Sequence, residues 1–291
     1  MKAILICPGE RPAVAALKQT LPWALLPLFG KNLLEYWLDH LAQSGATQII
    51  VLTSEQPELV QAAIGNGARW GLSVEVVLET REPTPVLARK KYRERMDADW
   101  LTEPDDVIVA NCFPGLPQHQ LFNGYADWFA ALQEFLPRAA GANRIGVREL
   151  KPGVWVGLRS RIAASARLCA PCWVGEQVRI GPRSVVGPMS VVEDRALIES
   201  DCHIAASVVG PQTLVGKGTE VMDSLAWDNK LLNWKTGSLV TVPDAFLLCA
   251  LGRPALPRKA TNWLTQLNAF YARNKGDWQL FWKDLLMNKG G

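Results

Sequence analysis

Between Val156 and Ile204 an aliphatic residue recurs at every sixth position: Val156, Ile162, Leu168, Val174, Ile180, Val186, Val192, Ile198 and Ile204. Four places after each stands a small or compact residue: Ser160, Ala166, Cys172, Val178, Ser184, Ser190, Ala196, Cys202 and Val208. Glycine often follows the aliphatic, at Gly157, Gly175, Gly181 and Gly187, and after Ile204 the phase slips by one before resuming at Val209, Val215 and Val221. Neither the helical period of 3.6 nor the strand period of two accounts for this spacing. A β-solenoid does: each flat face turns one large and one small residue inward, and the chain bends at the next corner.

The pattern resembles the left-handed β-helix of the hexapeptide-repeat proteins. With three repeats to a coil, the resemblance implies about four coils. Many such proteins are acyltransferases with a solenoid histidine as general base, which singles out His203. It precedes the inward Ile204, so alternation turns it outward, where a groove between subunits could hold an acyl donor. No long loop leaves the repeats to build an acceptor site, and a solvated surface histidine is the competing account.

With 291 residues the chain calls for more than one core, and its 48% apolar content suits a globular protein. A net charge of +3 without a run of Lys and Arg argues against nucleic-acid binding. The apolar run Ala3 to Cys7 is too short for a signal peptide, and no stretch reaches the roughly 18 apolar residues of a membrane span, so the expectation is a cytoplasmic protein. Cys169 and Cys172 have metal-site spacing, but no second pair completes a zinc set; Cys172 and Cys202 fall in the small inward slot and read as structural thiols, with no metal site expected.

The N-terminal half alternates strand and helix. Strands are expected at 2–6, 49–52, 74–78 and 107–109, and helices at 33–44, 57–64, 86–96 and 125–136. Apolar strands between helices imply a parallel sheet covered on both faces. Ligands of such sheets sit at the carboxyl ends of the strands, with phosphate at the first βα loop, here Cys7 to Leu28.

That loop, Cys7-Pro8-Gly9-Glu10-Arg11-Pro12-Ala13-Val14, is followed by Pro22-Trp23-Ala24-Leu25-Leu26-Pro27-Leu28 and Gly30-Lys31-Asn32-Leu33-Leu34-Glu35-Tyr36. In spacing it resembles the GGxGTRLRPLT, PKPLLPV and GKPLLEY segments of the sugar-1-phosphate nucleotidyltransferases, the nucleotide-sugar pyrophosphorylases. The resemblance implies a Rossmann-like half-domain that binds nucleotide. Pro8 replaces the first motif glycine, Ala13 the arginine and Trp23 the lysine, so an amide donor and two cations are missing. Asn111 stands where the magnesium-binding aspartate is expected, and a neutral amide is a poor sole anchor for Mg²⁺. The family's GTAGAL-type loop is unrecognisable around Glu82-Pro83-Thr84-Pro85. Only 113–142 separates Asn111 from the repeats, so the family's sugar-binding half is expected to be absent.

The expected fold is an α/β Rossmann-like nucleotidyltransferase half-domain (1–142), a left-handed parallel β-helix (143–226), and a cap with an amphipathic helical tail (227–291). The expected function is that of an inactive nucleotidyltransferase relative acting as nucleotide-sugar sensor or scaffold in polysaccharide assembly. Gly9, Arg11, Lys18 and Asn111 are the nucleotide-binding candidates. Two alternatives stand beside it: an acyltransferase using His203, and a living nucleotidyltransferase rebuilt on Arg11 and Lys18, the only reading that needs Mg²⁺. The expected partners are further copies of the chain through the β-helix, a nucleotide or nucleotide sugar, and a glycosyltransferase or other protein docked on the tail. Leu264, Leu267 and Tyr271 lie on one helical stripe of that tail, and Trp278, Phe281, Trp282 and Leu285 on another; such a stripe also suits the inner membrane surface.

Overall fold

Five consecutive buried residues make β1 (Lys2–Ile6), as expected of a strand covered on both faces. It runs between β4 (Gln48–Thr53) and β6 (Val107–Val109), and β5 (Ser73–Leu78) extends the sheet, all parallel, in the order β5-β4-β1-β6. A small hairpin, β2 (Pro27–Leu28) and β3 (Lys31–Asn32), leads into α1 (Leu33–Gln43), while α2 (Pro57–Ile64), α3 (Pro85–Tyr92) and α4 (Tyr125–Phe135) complete this half. The hairpin was not among the expected elements; the other strands and helices fall within a few residues of their expected ranges, and residues 93–96 of the expected helix 86–96 lie outside the described residues. The string Gly30 to Tyr36 shows why α1 starts where it does. Asn32 Oδ1 accepts the Glu35 N–H at 2.8 Å, and the Glu35 carboxylate accepts the Asn32 N–H at 3.0 Å, a capping box.

The computed structural model describes residues 1–18, 21–92, 99–102, 106–140, 144 and 146–251. Met1–Leu251 is one compact unit. The expected tail stripes from Leu264 to Leu285 lie outside the described residues.

The repeat region is a parallel β-helix. Strands 154–157, 172–174, 190–192, 208–209 and 224–227 stack as one face; 161–162, 179–180, 197–198 and 213–215 form the second; 167–168, 185–186, 203–205 and 220–222 form the third. Val156 pairs with Val174 and Val174 with Val192, a coil of 18 residues. Across the phase slip the coil shortens to 17, as Val191 pairs with Val208 and His203 with Glu220. The corner at 205–207 absorbs the missing residue, which corrects one assignment. Val208 faces outward, and Ser207 takes the small inward slot above Ser190. Its hydroxyl donates to the carbonyls of Ala205 and Val221 at 2.7 and 3.1 Å.

The recurrent glycines have a steric cause. A Cβ on Gly181 would lie 2.6 Å from the Glu199 carbonyl carbon, and one on Gly157 2.6 Å from the Glu176 nitrogen, both on the next coil. Backbone meets backbone there, so no side chain fits.

Antiparallel strands close the ends of the solenoid. Val147–Lys151 pairs on the first coil, Lys230–Asn233 and then Leu239–Thr241 extend the first face beyond the last coil, and Leu248–Ala250 pairs with Thr213–Val215. They occupy strand edges that would otherwise be open to pairing with other chains.

One outward column is apolar: Trp155, Trp173, Val191, Val208 and Leu225. It packs into the core that also holds α1, α4 and the β2–β3 hairpin, so the two halves share one interior. Phe129 of α4 stacks on Trp234 at 4.3 Å, and the Trp234 indole donates to the Ala206 carbonyl at 2.9 Å. Residues 113–140 therefore supply a helical wedge against the β-helix face.

Candidate functional site

The carboxyl ends of β1, β4, β5 and β6 gather four loops at one edge of the sheet. The loop after β1 carries Gly9 and Arg11, that after β4 carries Ser54 and Glu55, that after β5 carries Glu79 to Glu82, and Asn111 follows β6. Beside the β5 loop opens a cleft of about 860 Å³, lined among others by Thr80, Arg81, Glu82, Thr84, Leu87 and Lys90.

Gly9 and Arg11 converge on one acceptor. The Glu82 carboxylate receives the Gly9 N–H at 2.8 Å and both guanidinium ends of Arg11 at 2.7 and 2.8 Å. Burial pushes this carboxyl up, but the Arg11 guanidinium and the Gly9 N–H outweigh it and hold Glu82 below the ordinary range. A Cβ on Gly9 would meet Glu82 Oε2 at 3.2 Å and Ser54 Oγ at 3.3 Å, so the backbone approaches its acceptor closely.

Lys18 goes elsewhere. Its ammonium bonds Glu55 at 2.6 Å and stands 5.9 Å from the centre of the Trp23 ring. Trp23, in the place of the motif lysine, is 1% exposed and packs edge-on against Phe122 at 5.2 Å. Asn111 is half-buried; its carbonyl accepts the Leu121 N–H at 2.9 Å. Cys7 is buried beside the loop, and burial, aided by Glu82, pushes its thiol up to about 12, which leaves it protonated and inert.

These donors do not make a magnesium site. Asn111 brings a neutral amide, and Glu82 and Glu55 are each committed to a cation. Among the described residues no group of three or more His, Cys, Asp or Glu is placed to hold a metal ion.

His203 is exposed on the third face of the β-helix, between Val185 and Glu220 in register, far in topology from the loops that gather at the sheet edge. Cys172 and Cys202 fill buried inward slots, and burial raises both thiols, Cys172 to about 12.

Sequence reasoning did not single out the acids. Glu82 and Glu55 lie in loops without a motif, and only the parallel order of the strands, which aims those loops at the first one, could have pointed to them. Glu193 is the third. It sits at a coil corner, 2% exposed, and accepts the N–H groups of Phe29 and Gly30 at 2.5 and 2.8 Å. Burial first, then Asp194, pushes its carboxyl up to about 7; the two N–H donors and the Arg144 guanidinium pull the other way.

Residues 3–113 match the family model described as Nucleotidyl transferase. An N-acetylmuramate alpha-1-phosphate uridylyltransferase of Neisseria meningitidis is 26% identical over 129 residues, covering 41% of this chain and 55% of that protein. A UTP--glucose-1-phosphate uridylyltransferase of Synechocystis is 29% identical over 79 residues, 27% of this chain and 20% of that protein. The chain thus spans about half or less of these relatives. A perosamine N-acetyltransferase from Caulobacter crescentus, solved with CoA and GDP-perosamine, is 15% identical with a TM-score of 0.18, covering 62% of this chain and 93% of that one, too loose a superposition to bear on fold or function. Loop spacing, strand order and sequence similarity agree: residues 3–113 are similar to the nucleotidyl transferase family and are followed by a parallel β-helix of six-residue repeats.

Proposed function

We propose that this chain binds a nucleotide or nucleotide sugar at the carboxyl edge of its parallel sheet without carrying out nucleotidyl transfer, and serves as a sensor or scaffold in polysaccharide or nucleotide-sugar synthesis. The observation that carries the reading is Trp23. Where the family's motif places a lysine on the reacting phosphates, this chain has an indole folded into the core. The remaining candidate cations, Arg11 and Lys18, are neutralised by Glu82 and Glu55. Losing one preorganised charge in such a site costs on the order of 100- to 1000-fold in rate, and effects within one site are not additive.

The two relatives named above are uridylyltransferases, so uridine nucleotides head the ligand panel. Purified protein given UTP, a sugar-1-phosphate and Mg²⁺ is expected to release no pyrophosphate above background, while UTP or a UDP-sugar raises its melting temperature. Sustained pyrophosphate release would overturn the inactive reading. Flat melting curves across the panel would overturn the binding reading.

A further inference from the structure

We propose that Glu82 is a built-in competitor for the phosphate seat of the first loop. The inference rests on the nucleotide-binding reading above and concerns how that same site is controlled.

The seat consists of one loop amide, Gly9, and one guanidinium fork, Arg11, and a single carboxylate satisfies both. A carboxylate and a phosphoryl group offer a guanidinium the same pair of oxygens, and the first βα loop of an open parallel sheet is where phosphates are held. Glu82 is thus bonded as a ligand would be. It comes from another loop, 71 residues from Arg11 in sequence, and is not anchored deep in the core: the Arg11 and Glu82 side chains are 21% and 24% exposed. Glu82 itself lines the 860 Å³ cleft, which gives the displaced side chain room to turn. Arg81 and Lys90 line that cleft and form no ion pair with another described residue, so a carboxylate leaving the seat meets positive charge.

A polyphosphate entering the seat would exchange places with Glu82. Gly9 and Arg11 would keep their hydrogen bonds with a new acceptor, and binding would be weakened by the work of expelling the old one. The same arrangement makes affinity adjustable: anything that draws Glu82 into the cleft opens the seat.

The test is calorimetric titration of the full-length chain with two probes, inorganic tripolyphosphate and UTP. Tripolyphosphate affinity is expected to rise at least tenfold in Glu82→Ala, to rise less in Glu82→Gln, whose amide still accepts from Arg11, and to return to the wild-type level in Glu82→Ala with Arg11→Ala. Glu10→Gln removes the same charge from the first loop itself, leaves in place the Glu10 backbone carbonyl that accepts from Arg11 at 3.0 Å, and is expected to change little. No rise in either Glu82 variant, or an equal rise in Glu10→Gln, overturns the competitor. If tripolyphosphate tightens but UTP binds no better than tripolyphosphate, the competitor stands and the nucleotide reading falls. If UTP binds wild type and both Glu82 variants alike, with tripolyphosphate unchanged, the nucleotide reading stands and the competitor falls.

Discussion

Glu193 shows what one side chain can do across 164 positions of sequence. Its two oxygens hold the tip of the β2–β3 hairpin, and the titratable or charged groups around it are Asp194, Arg144 and, through Arg144, Tyr36, whose hydroxyl burial pushes upward. Its folded value near 7 lies above the ordinary 4.5, so between those pH values the folded chain holds a proton that the unfolded chain has lost. Stability is therefore expected to fall as pH rises through that window, by up to about 3 kcal/mol from this group. Denaturant titrations between pH 4.5 and 8 should show the decline in wild type and lose most of it in Glu193→Gln. A flat profile in wild type would contradict the assignment. None of this could be read from Glu193 itself. Its position follows an inward valine and says only that it lies at a corner; the partner loop is fixed by the packing of two halves of the molecule. Glu82 and Glu55 escaped notice for the same reason, since the choice of which loop meets which is tertiary. The losses at Ala13, Trp23 and Asn111 were legible because they depart from a local string.

At the scale of elements, the repeat period specified the β-helix so tightly because each residue in it has one neighbour above and one below. The error at Val208 is instructive: a corner can shorten by one residue while the strands on either side stay in register, so counting by six misplaces whichever residue spans the gap. The β2–β3 hairpin was legible only as a motif string. Phe29 and Gly30 both have positive φ, as the two-residue turn of a twisted hairpin requires, and the Gly30 conformation would strain a larger residue. Two substitutions examine this level. Phe29→Ala removes a fully buried ring that meets Trp173 edge-on at 5.6 Å and is expected to cost about 3–5 kcal/mol by denaturant titration. Gly181→Ala forces two coils apart and is expected to cost about 2 kcal/mol, lowering Tm by roughly 4–8 °C. A Gly181→Ala protein melting with wild type would show that the corners have slack.

The whole molecule is held together by the outward column Trp155, Trp173, Val191, Val208 and Leu225, four intervals of one coil each. This signal was present in the sequence but lay one residue out of step with the inward pattern, and its meaning depended on the second half packing against it. A shared core predicts a single cooperative transition for residues 1–251. Replacing Trp173 and Val191 together with aspartate buries two unpaired charges in that core, and calorimetry is expected to resolve two transitions where wild type gives one. One unsplit transition in the double variant would mean that the column is incidental to cooperativity.

The hairpin tip held by Glu193 also sets an order of events during synthesis. Phe29 leaves the ribosome early, yet Trp173 and Glu193 follow more than 140 residues later, near the third coil. The first half of the chain must wait with an aromatic side chain uncovered until the solenoid has been made and wound far enough to receive it. Domains usually fold in the order in which they are translated. Here the α/β part emerges before the solenoid and is not finished until the solenoid has been made.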